Sequence, residues 1–358
     1  MAKRIGILTS GGDSPGLNAA IRGVARASHD LMNAEIIGIE NGFRGLIERD
    51  ARTMHIQEFS NILTLGGTIL GTSRQPFKMI RESQKGPDDK VARMVHNYEK
   101  LGLDCLVTLG GNGTHKTANL LREQGLNIVA LPKTIDNDIY GTDVTFGFHS
   151  ALETATDVID RIHTTALAHG RIMVVELMGN KVGWLTLFTG VASGSDIILL
   201  PEIPYKMDSI IATIENRRIL GKRSTIIAVA EGALSQEEAT LSKKQLKALR
   251  STNPYPSVAY PIARQIEATL SGAEVRVVVP GHIQRGGSPS AYDRVLATRF
   301  GAHAAELIRH KDYGKTVALV GNCVTSNALK DVAGMPKPVP PDHELLHMAR
   351  LTGSTFGE

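Results

Sequence analysis

Short runs of apolar, often β-branched residues alternate along the chain with longer segments whose apolar positions recur at helical spacing. The first such pair is a strand at Arg4–Thr9 followed by a helix at Leu17–Met32, and the last strand of the series is Thr316–Val320. Strands that are buried on both faces are continuously apolar, as these runs are. The alternation therefore predicts a doubly wound α/β fold with mostly parallel sheets.

The remaining elements follow the same alternation. The other predicted strands are Glu35–Ile39, Asp104–Leu109, Asn127–Leu131, Arg171–Leu177, Asp196–Leu200, Thr225–Ala230 and Val275–Val279. The other predicted helices are Val91–Leu101, His115–Gln124 and His149–Ala168. The Pro-rich tail from Pro336 onward is expected to be peripheral.

Composition adds three exclusions. The chain has 358 residues, of which 42% are hydrophobic and 21% charged, with a net charge of +4 spread along its length. The absence of a basic block argues against nucleic-acid binding. No apolar run approaches the ~18 residues of a membrane span, which argues against membrane contact. Two cysteines cannot form a disulfide framework, so we expect a cytoplasmic protein.

Glycines cluster where two of the predicted strands end. Gly11–Gly16 follows the first strand, and Gly110–Thr114 lies between a strand and a helix. Ligands of such sheets bind at the carboxyl ends of strands, and the backbone N–H groups at a helix start attract phosphate. The two turns therefore indicate a bound polyphosphate, although the second is not a P-loop, because His115 replaces that motif's second glycine.

Two further segments carry chemistry. Pro132–Asp138 places two acids two residues apart, one suited to accept a proton and one to face a metal; an Asx-rich structural turn is the alternative. Gly281–Gly287 presents a histidine and an arginine beside glycines, which suits an anionic substrate such as a sugar phosphate.

Two familiar motifs are discounted. His343–His347 matches the zinc motif H-E-x-x-H, but only eleven residues follow, so we interpret it as a peripheral helix. Gly12–Gly16 matches the nucleophile elbow G-x-S-x-G, but Pro15 has no N–H to offer an oxyanion.

Taken together, the motifs resemble those of the phosphofructokinase family. GGDSPGLNAAIRG, GGNGT, PKTIDNDI, RIMVVELMG and PGHIQRGGSPSAYDR occur in the family's order between about Lys3 and residue 305. The resemblance implies two Rossmann-like domains with an active site in the interdomain cleft. It also implies ATP-dependent, Mg2+-assisted phosphorylation of fructose 6-phosphate at its 1-hydroxyl. The implied domains are 1–147 plus about 275–315 for the nucleotide, 148–274 for the sugar phosphate, and a C-terminal strand and tail at 316–358.

The resemblance also assigns roles to residues, with Asp136 as the catalytic base. ATP contacts are implied for Gly12, Arg74, Gly111, Asn112, Gly113 and Thr114. Substrate contacts are implied for Thr134, Ile135, Asp136, Asp138, Arg171, Met178, Gly179, Asn180, Glu231, Arg276, His282 and Arg285. The implied metal ligands are Asn112 and Asp138. Arg171 and Arg276, which have no obvious structural partner in the sequence, are expected to reach the 6-phosphate from an adjacent subunit. This implies a homo-oligomer, with a tetramer favoured.

Four positions bear on the activity. Asn112 stands where many members have a metal-binding Asp, and Asn180 where an Arg is common, which leaves room for a catalytically weak regulatory subunit of the same fold. Pyrophosphate-using relatives typically have Asp at the position of Gly113, whereas Lys133 is the residue found in those relatives. We give Gly113 more weight, because a carboxylate there would exclude the α-phosphate of ATP. ATP is thus the expected donor, with pyrophosphate as the alternative.

Overall fold

The computed structural model of the protein describes residues 2–84, 86–255 and 257–358. The chain divides into two compact units. Unit 1 holds the residues up to Ser150 together with Arg285–Lys337, and unit 2 holds Ala151–Gln284 together with Pro338–Glu358.

The strands lie close to their predicted positions. They are β1 Arg4–Ser10, β2 Glu35–Ile39, β3 Ala51–Met54, β4 Cys105–Gly110, β5 Ile128–Pro132, β6 Ile172–Leu177, β7 Ile197–Leu199, β8 Thr225–Ala230, β9 Val275–Val278, β10 Lys315–Val320 and β11 Cys323–Ala328. Of these, β3 and β11 are absent from the sequence prediction, because both are edge strands with polar residues.

The helices complete the alternation. They are α1 Leu17–Met32, α2 Phe43–Glu48, α3 Phe77–Ser83, α4 Lys90–Lys100, α5 Asn112–Glu123, α6 Phe148–His169, α7 Trp184–Ala192, α8 Met207–Ile219, α9 Gln236–Ala239, α10 Lys243–Ser251, α11 Ala259–Thr269, α12 Ala291–Arg309, α13 Leu329–Val332 and α14 Glu344–Leu351. Short 3-10 helices occupy Ile56–Phe59 and Gly281–Arg285. Within the described ranges, none of the helices has the length and apolar character to cross a membrane.

Unit 1 is built on a seven-stranded sheet in the order β11-β10-β5-β4-β1-β2-β3. Its five inner strands are parallel, and each edge strand pairs antiparallel with its neighbour. Alternate side chains of β1 enter two cores: Ile5 and Ile7 pack with α1 and α12, while Leu8 packs with α4 and α5. The strand order reverses between β1 and β4, and ligands bind outside the carboxyl ends of strands at such a point.

Unit 2 is built on a four-stranded parallel sheet in the order β7-β8-β6-β9. The strands β6 and β8 are fully buried, in agreement with their largely apolar sequences. Leu177 at the end of β6 is in register with Ala230 at the end of β8. The residues that follow these two strands therefore leave the sheet at the same edge. The α/β fold with mostly parallel sheets predicted from the sequence is confirmed.

The two units differ from the expected domains in two places. The strand β9, expected in the nucleotide domain, pairs with β6 and lies in unit 2. The strand β10, expected in a separate C-terminal part, pairs with β5 through Lys315 and Thr316 and lies in unit 1. An apolar run shows that a strand is buried but not which strand it pairs with, so the sequence pattern could not decide either case.

The tail was expected to be peripheral, and the structure contradicts this. Phe356 is fully buried in unit 2. Ile198 donates its N–H to the carbonyl of Thr355 at 2.8 Å, and Thr355 donates its own to the carbonyl of Asp196 at 3.0 Å. The tail therefore hydrogen-bonds to the open edge of β7, where unpaired backbone groups would otherwise be exposed.

His343, from the discounted zinc motif, begins α14 as its N-cap. The side chain accepts a hydrogen bond from the N–H of Leu345 at 3.2 Å, and the ring lies edge-on to Trp184 at 5.0 Å between centroids. The histidine thus satisfies a free N–H at the start of the helix.

Candidate active site

The two glycine turns lie side by side at the reversal point of the unit 1 sheet. Ser10 and Gly110, the last residues of β1 and β4, are in register, and Thr114 donates its hydroxyl to the carbonyl of Ser10 at 3.3 Å. Gly11 has a φ of 91°, a conformation that side chains disfavour. The structure thus brings Gly12 and Gly111–Thr114, which are far apart in sequence, to one edge of the sheet.

The N-terminus of α5 has the features of a phosphate-binding helix start. Gly111 is its N-cap and makes no side-chain cap, so the first N–H groups of this 12-residue helix remain available to a ligand. Apart from its chain neighbours and the backbone of its own helix, no described residue has an atom within 4 Å of the point where a Cβ on Gly113 would stand. A polyphosphate can therefore approach the backbone closely here.

His115, one residue further along α5, has a structural role. Its ring contacts the carbonyl of Gly111 at 3.1 Å and the hydroxyl of Thr316 at 2.9 Å. Burial lowers the pKa of His115 to about 4, so the ring is neutral at pH 7. The residue that breaks the P-loop motif thus connects the turn to β10.

Arg74 lies on a segment that is tied to the first turn. Thr72 donates its hydroxyl to the carbonyl of Gly11 at 2.8 Å, and Gly11 donates its N–H to the carbonyl of Ser73 at 3.2 Å. The Arg74 side chain itself is exposed. It can reach an anion at the glycine turns without first leaving a buried position.

Lys133 follows β5 directly and is only 3% exposed. Its N–H donates to the carbonyl of Gly110 at 3.1 Å, and its ammonium donates to the carbonyl of Gly12. Burial first, and then the charge of Arg285, lower the pKa of Lys133 to about 8, while Asp136 and other acids oppose this shift. A buried positive charge thus lies between the two glycine turns.

Arg285 approaches the first turn from the other side. Its guanidinium donates to the carbonyl of Asp13 at 3.2 Å. A Cβ on Gly12 would lie 2.8 Å from the same nitrogen, so any side chain there would displace the guanidinium from this position. The Nε of Arg285 is buried with no hydrogen-bond partner in the described parts of the chain. Arg285 therefore belongs to unit 1, beside residues expected to hold the donor.

The loop carrying the two acids is fixed by its own side chains. The hydroxyl of Thr134 accepts the N–H of Asp136 at 3.0 Å, and the hydroxyl of Thr145 donates to the carbonyl of Thr134 at 2.7 Å. Asn137, in a left-handed conformation with φ 53°, accepts the N–H of Thr145 at 3.1 Å. The side chain of Ile135 is fully buried, so only its backbone can contact a ligand.

Asp136 and Asp138 are both largely buried in this loop. Asp136 is 9% exposed, and its charge interacts with that of Lys133. Burial raises the pKa of Asp138, while its own backbone N–H and the charges of Lys133 and Lys337 act in the opposite direction. The loop thus presents two carboxylates whose positions the fold determines, which is what a proton acceptor and a cation ligand each require.

The oxygen ligands here suit a hard cation that arrives with a polyphosphate. Mg2+ is commonly held by one or two carboxylates together with phosphates and water. Asp138 supplies a carboxylate, and Asn112, whose amide nitrogen donates to the carbonyl of Met335 at 3.2 Å, can supply its amide oxygen. Residues 2–84, 86–255 and 257–358 contain no group of three or more His, Cys, Asp or Glu that could hold a metal. The two side-chain oxygens therefore fit a Mg2+ ion that takes its remaining ligands from a polyphosphate and water.

The second group of predicted residues lies at the carboxyl edge of the unit 2 sheet. The Glu231 carboxylate accepts the N–H groups of Gly179 at 3.2 Å and Asn180 at 2.7 Å, and Met178 donates its N–H to Gln284 at 3.3 Å. Asn180 has a φ of 55°, a conformation that asparagine tolerates better than most residues. Glu231 thus holds the turn after β6, and the backbone accounts for an asparagine at position 180.

His282 is exposed on the 3-10 helix that follows β9. The unit 2 sheet therefore brings together Met178, Gly179, Asn180, Glu231 and His282 at the ends of β6, β8 and β9.

Arg171 and Arg276 share one structural partner, contrary to the sequence analysis. One carboxylate oxygen of Glu274 accepts from Arg171 at 2.9 Å and from Arg276 at 2.5 Å. The hydrogen bond from Arg171 is the main cause that lowers the pKa of Glu274. The arginine side chains stay 24% and 49% exposed, so the trio presents a net positive charge to solvent. Sequence reasoning missed Glu274, although its place before a strand that carries Arg276 was a usable signal.

Comparison with known proteins shows which family the chain resembles over most of its length. The profile of the phosphofructokinase family matches residues 4–308. The chain is 56% identical to the ATP-dependent 6-phosphofructokinase of Spirochaeta thermophila, covering 99% of this chain and 98% of that one. It is 47% identical to the ATP-dependent 6-phosphofructokinase 3 of Bacteroides thetaiotaomicron, covering 99% and 100%.

A solved structure, that of phosphofructokinase from Saccharomyces cerevisiae, superposes with a TM-score of 0.78 at 31% identity. The match covers 92% of this chain but 45% of that one, so the chain spans less than half the length of the yeast protein. The family match, the identities to full-length relatives and the shared fold agree, and the chain belongs to the phosphofructokinase family.

Proposed function

We propose that the protein transfers the terminal phosphoryl group of ATP to the 1-hydroxyl of fructose 6-phosphate, giving fructose 1,6-bisphosphate and ADP. The observation that carries the proposal is the cluster at the reversal point of the unit 1 sheet. There Lys133 and Arg285 lie beside two glycine turns, with Asp136 close enough to interact with the lysine. Phosphoryl transfer needs positioning and charge neutralisation more than covalent chemistry, and this cluster supplies both.

The donor is held by the glycine turns. The free N–H groups at the start of α5 and the space beside Gly113 receive the phosphates, and Arg74 reaches them from solvent. Lys133 and Arg285 add fixed positive charge where negative charge spreads during transfer. When bound with ATP, Mg2+ would neutralise further phosphate charge, held by Asp138 and Asn112.

Asp136 acts as the general base. Its carboxylate accepts the proton of the 1-hydroxyl while the sugar oxygen bonds to the terminal phosphorus. The bond from that phosphorus to the bridging oxygen breaks, and ADP leaves with the electron pair. The Thr134 hydroxyl, which accepts the backbone N–H of Asp136 at 3.0 Å, fixes the backbone that carries this carboxylate.

The sugar phosphate is bound by the unit 2 residues Met178, Gly179, Glu231 and His282. Arg171 and Arg276 bind the 6-phosphate of the fructose 6-phosphate that is held in a neighbouring subunit. The active enzyme is therefore a homo-oligomer, with a tetramer favoured. Glu274 supports this role because its carboxylate accepts hydrogen bonds from both guanidinium groups. It thereby holds the two arginines side by side, where together they can bind an anion.

Pyrophosphate is the alternative donor, because a lysine at position 133 resembles the pyrophosphate-using relatives. A buried ammonium that joins the two turns suits any polyphosphate. The open space beside Gly113 favours the larger nucleotide, and we give it more weight.

A coupled assay of the purified protein with fructose 6-phosphate, Mg2+ and either ATP or pyrophosphate tests the proposal. Turnover with ATP at a higher kcat/KM than with pyrophosphate is the expected result. A preference for pyrophosphate would overturn the choice of donor. No turnover with either donor would favour a regulatory subunit that has lost catalysis.

A further inference from the structure

The loop that carries the two acids is anchored by residues beyond the matched family region, which ends at residue 308. The hydroxyl of Thr142 accepts the N–H of Leu319 at 2.9 Å, and the N–H of Asp143 donates to the Leu319 carbonyl at 2.8 Å. The side chain of Asn327 donates to the carbonyl of Gly141 at 2.7 Å. We call residues 134–145 the acid loop; its far end is thus tied to β10 and β11.

A second anchor comes from residues 334–337, which we call the strap. The ammonium of Lys337 donates to two successive carbonyls of the acid loop, Thr142 at 2.8 Å and Asp143 at 2.7 Å. The neighbouring Pro336 pairs with Ile139 in an isolated antiparallel bridge. Ile139 directly follows Asp138. The strap therefore contacts the acid loop at two places, beside Asp138 and at the carbonyls of Thr142 and Asp143.

The strap also contacts the phosphate-binding turn. The carbonyl of Met335 accepts the side-chain amide of Asn112 at 3.2 Å. Three consecutive residues, Met335–Lys337, therefore connect the start of α5 with the acid loop. The charges of Lys337 and Asp138 also lie close enough to interact.

We propose that Lys337 is a positioning residue for phosphoryl transfer, which sets the acid loop, and with it Asp136 and Asp138, against the start of α5. The inference rests on the proposed function. The hydrogen bonds of the Lys337 ammonium go to the acid loop, and they involve neither the reacting atoms nor the glycine turn at the start of α5. It acts by holding two backbone carbonyls that no neutral apolar side chain could satisfy.

The expected effect follows from geometry. Loss of the ammonium leaves the carbonyls of Thr142 and Asp143 without this donor, and the loop can relax. A displacement of about 1 Å at a catalytic group can cost up to about 100-fold in rate. We therefore expect Lys337→Met to lower kcat by about 10-fold, with the KM for fructose 6-phosphate within about twofold of wild type, because the unit 2 residues are unchanged.

The experiment compares three variants with the wild type in the coupled assay, with thermal unfolding measured on each. Lys337→Met removes the charge, Lys337→Arg keeps it, and Lys330→Met removes an exposed charge from α13 nearby. The expected result is a lower kcat in Lys337→Met only, with recovery in Lys337→Arg and no change in Lys330→Met.

Wild-type kcat in Lys337→Met would overturn the inference, whether or not its Tm falls, since a merely structural role would lower Tm and leave kcat per folded molecule intact. If Lys337→Met does not fold, Lys337→Gln is compared with Lys337→Arg by the same criterion. An inactive wild type would instead overturn the proposed function, so the two failures are distinguishable.

Discussion

The ammonium of Lys133 donates a hydrogen bond to the carbonyl of Gly12, joining the residue after β5 to the turn after β1. Both residues lie in unit 1, and the bond places a buried charge where the phosphates of the donor are proposed to bind. Because Lys133 is held by backbone groups of two different turns, its position is set by the sheet rather than by a flexible side chain.

Lys133 should give the reaction an upper pH limit. Its pKa is lowered to about 8, so the amine is charged below that pH and neutral above it. The charged and titratable groups that face it are Arg285, Asp136, Asp13 and Asp138. We expect kcat/KM for ATP to fall as the pH rises through about 8, because the neutral amine no longer offsets phosphate charge.

The control for this prediction is Lys133→Met, which has no amine to titrate. At pH 7 it should lose about 10- to 100-fold in kcat/KM for ATP, the value of a hydrogen bond to a charged group. Its pH profile should lack the fall near pH 8. A fall that persists in this variant would assign the limit to another group, such as Lys337, whose pKa burial also lowers to about 8.

Gly113→Asp should change the donor. The site has room for the side chain, because no described residue outside the neighbouring backbone of α5 lies within 4 Å of the added Cβ, so the fold should tolerate the substitution. The new carboxylate would repel the α-phosphate of ATP, which pyrophosphate lacks. We expect kcat/KM for ATP to fall by at least about 100-fold and that for pyrophosphate by much less. Gly113→Ala, which adds bulk without charge, is the control, and an equal loss with both donors would refute the assignment.

Mixed oligomers should test whether active sites are shared. An Asp136→Asn chain lacks the base, and an Arg171→Ala chain lacks a phosphate-binding arginine; each should be nearly inactive alone. Co-assembled, they should recover part of the activity, because some sites draw both intact residues from different chains. The readout is the activity of mixed oligomers whose composition has been verified. Full activity of a monomer, or no recovery, would argue against sharing.

Phe356→Ala should destabilise the protein although it is the third residue from the end of the chain. The side chain is fully buried, and its loss should lower the free energy of unfolding by about 3–5 kcal/mol. Glu358→Gln, which removes only an exposed ion pair with Arg350, should change it by less than about 1 kcal/mol. Denaturant unfolding measures the free energy of unfolding of both variants. Equal losses of less than about 1 kcal/mol would mean that the tail is peripheral.

Apolar patterning predicted the inner strands and α1 closely, because a buried parallel strand must be apolar throughout. The edge strands β3 and β11 contain polar and partly exposed residues, so apolar patterning did not predict them. The tail was expected to be peripheral because its four prolines suggested a loop, whereas the burial of Phe356 depends on an open edge at β7 that only the folded sheet creates.

For the candidate site, the sequence indicated the residues with recognisable motifs, such as Gly12 and Asp136. It could not indicate Lys337, which acts on backbone groups that only the fold brings near it, whereas Glu274 had a local signal in its position two residues before Arg276. Lys337 lies 195 positions from the loop carbonyl of Thr142 that it holds, and no local pattern records such a contact.

The proposed role of Asp136 is tested most directly by the rate at which Asp136→Asn forms fructose 1,6-bisphosphate from ATP and fructose 6-phosphate, compared with the wild type. The amide keeps the shape of the side chain but accepts no proton. If Asp136 is the general base, kcat falls by roughly 10²–10⁴-fold while the KM for fructose 6-phosphate stays close to wild type. Near-wild-type turnover in Asp136→Asn would contradict this role.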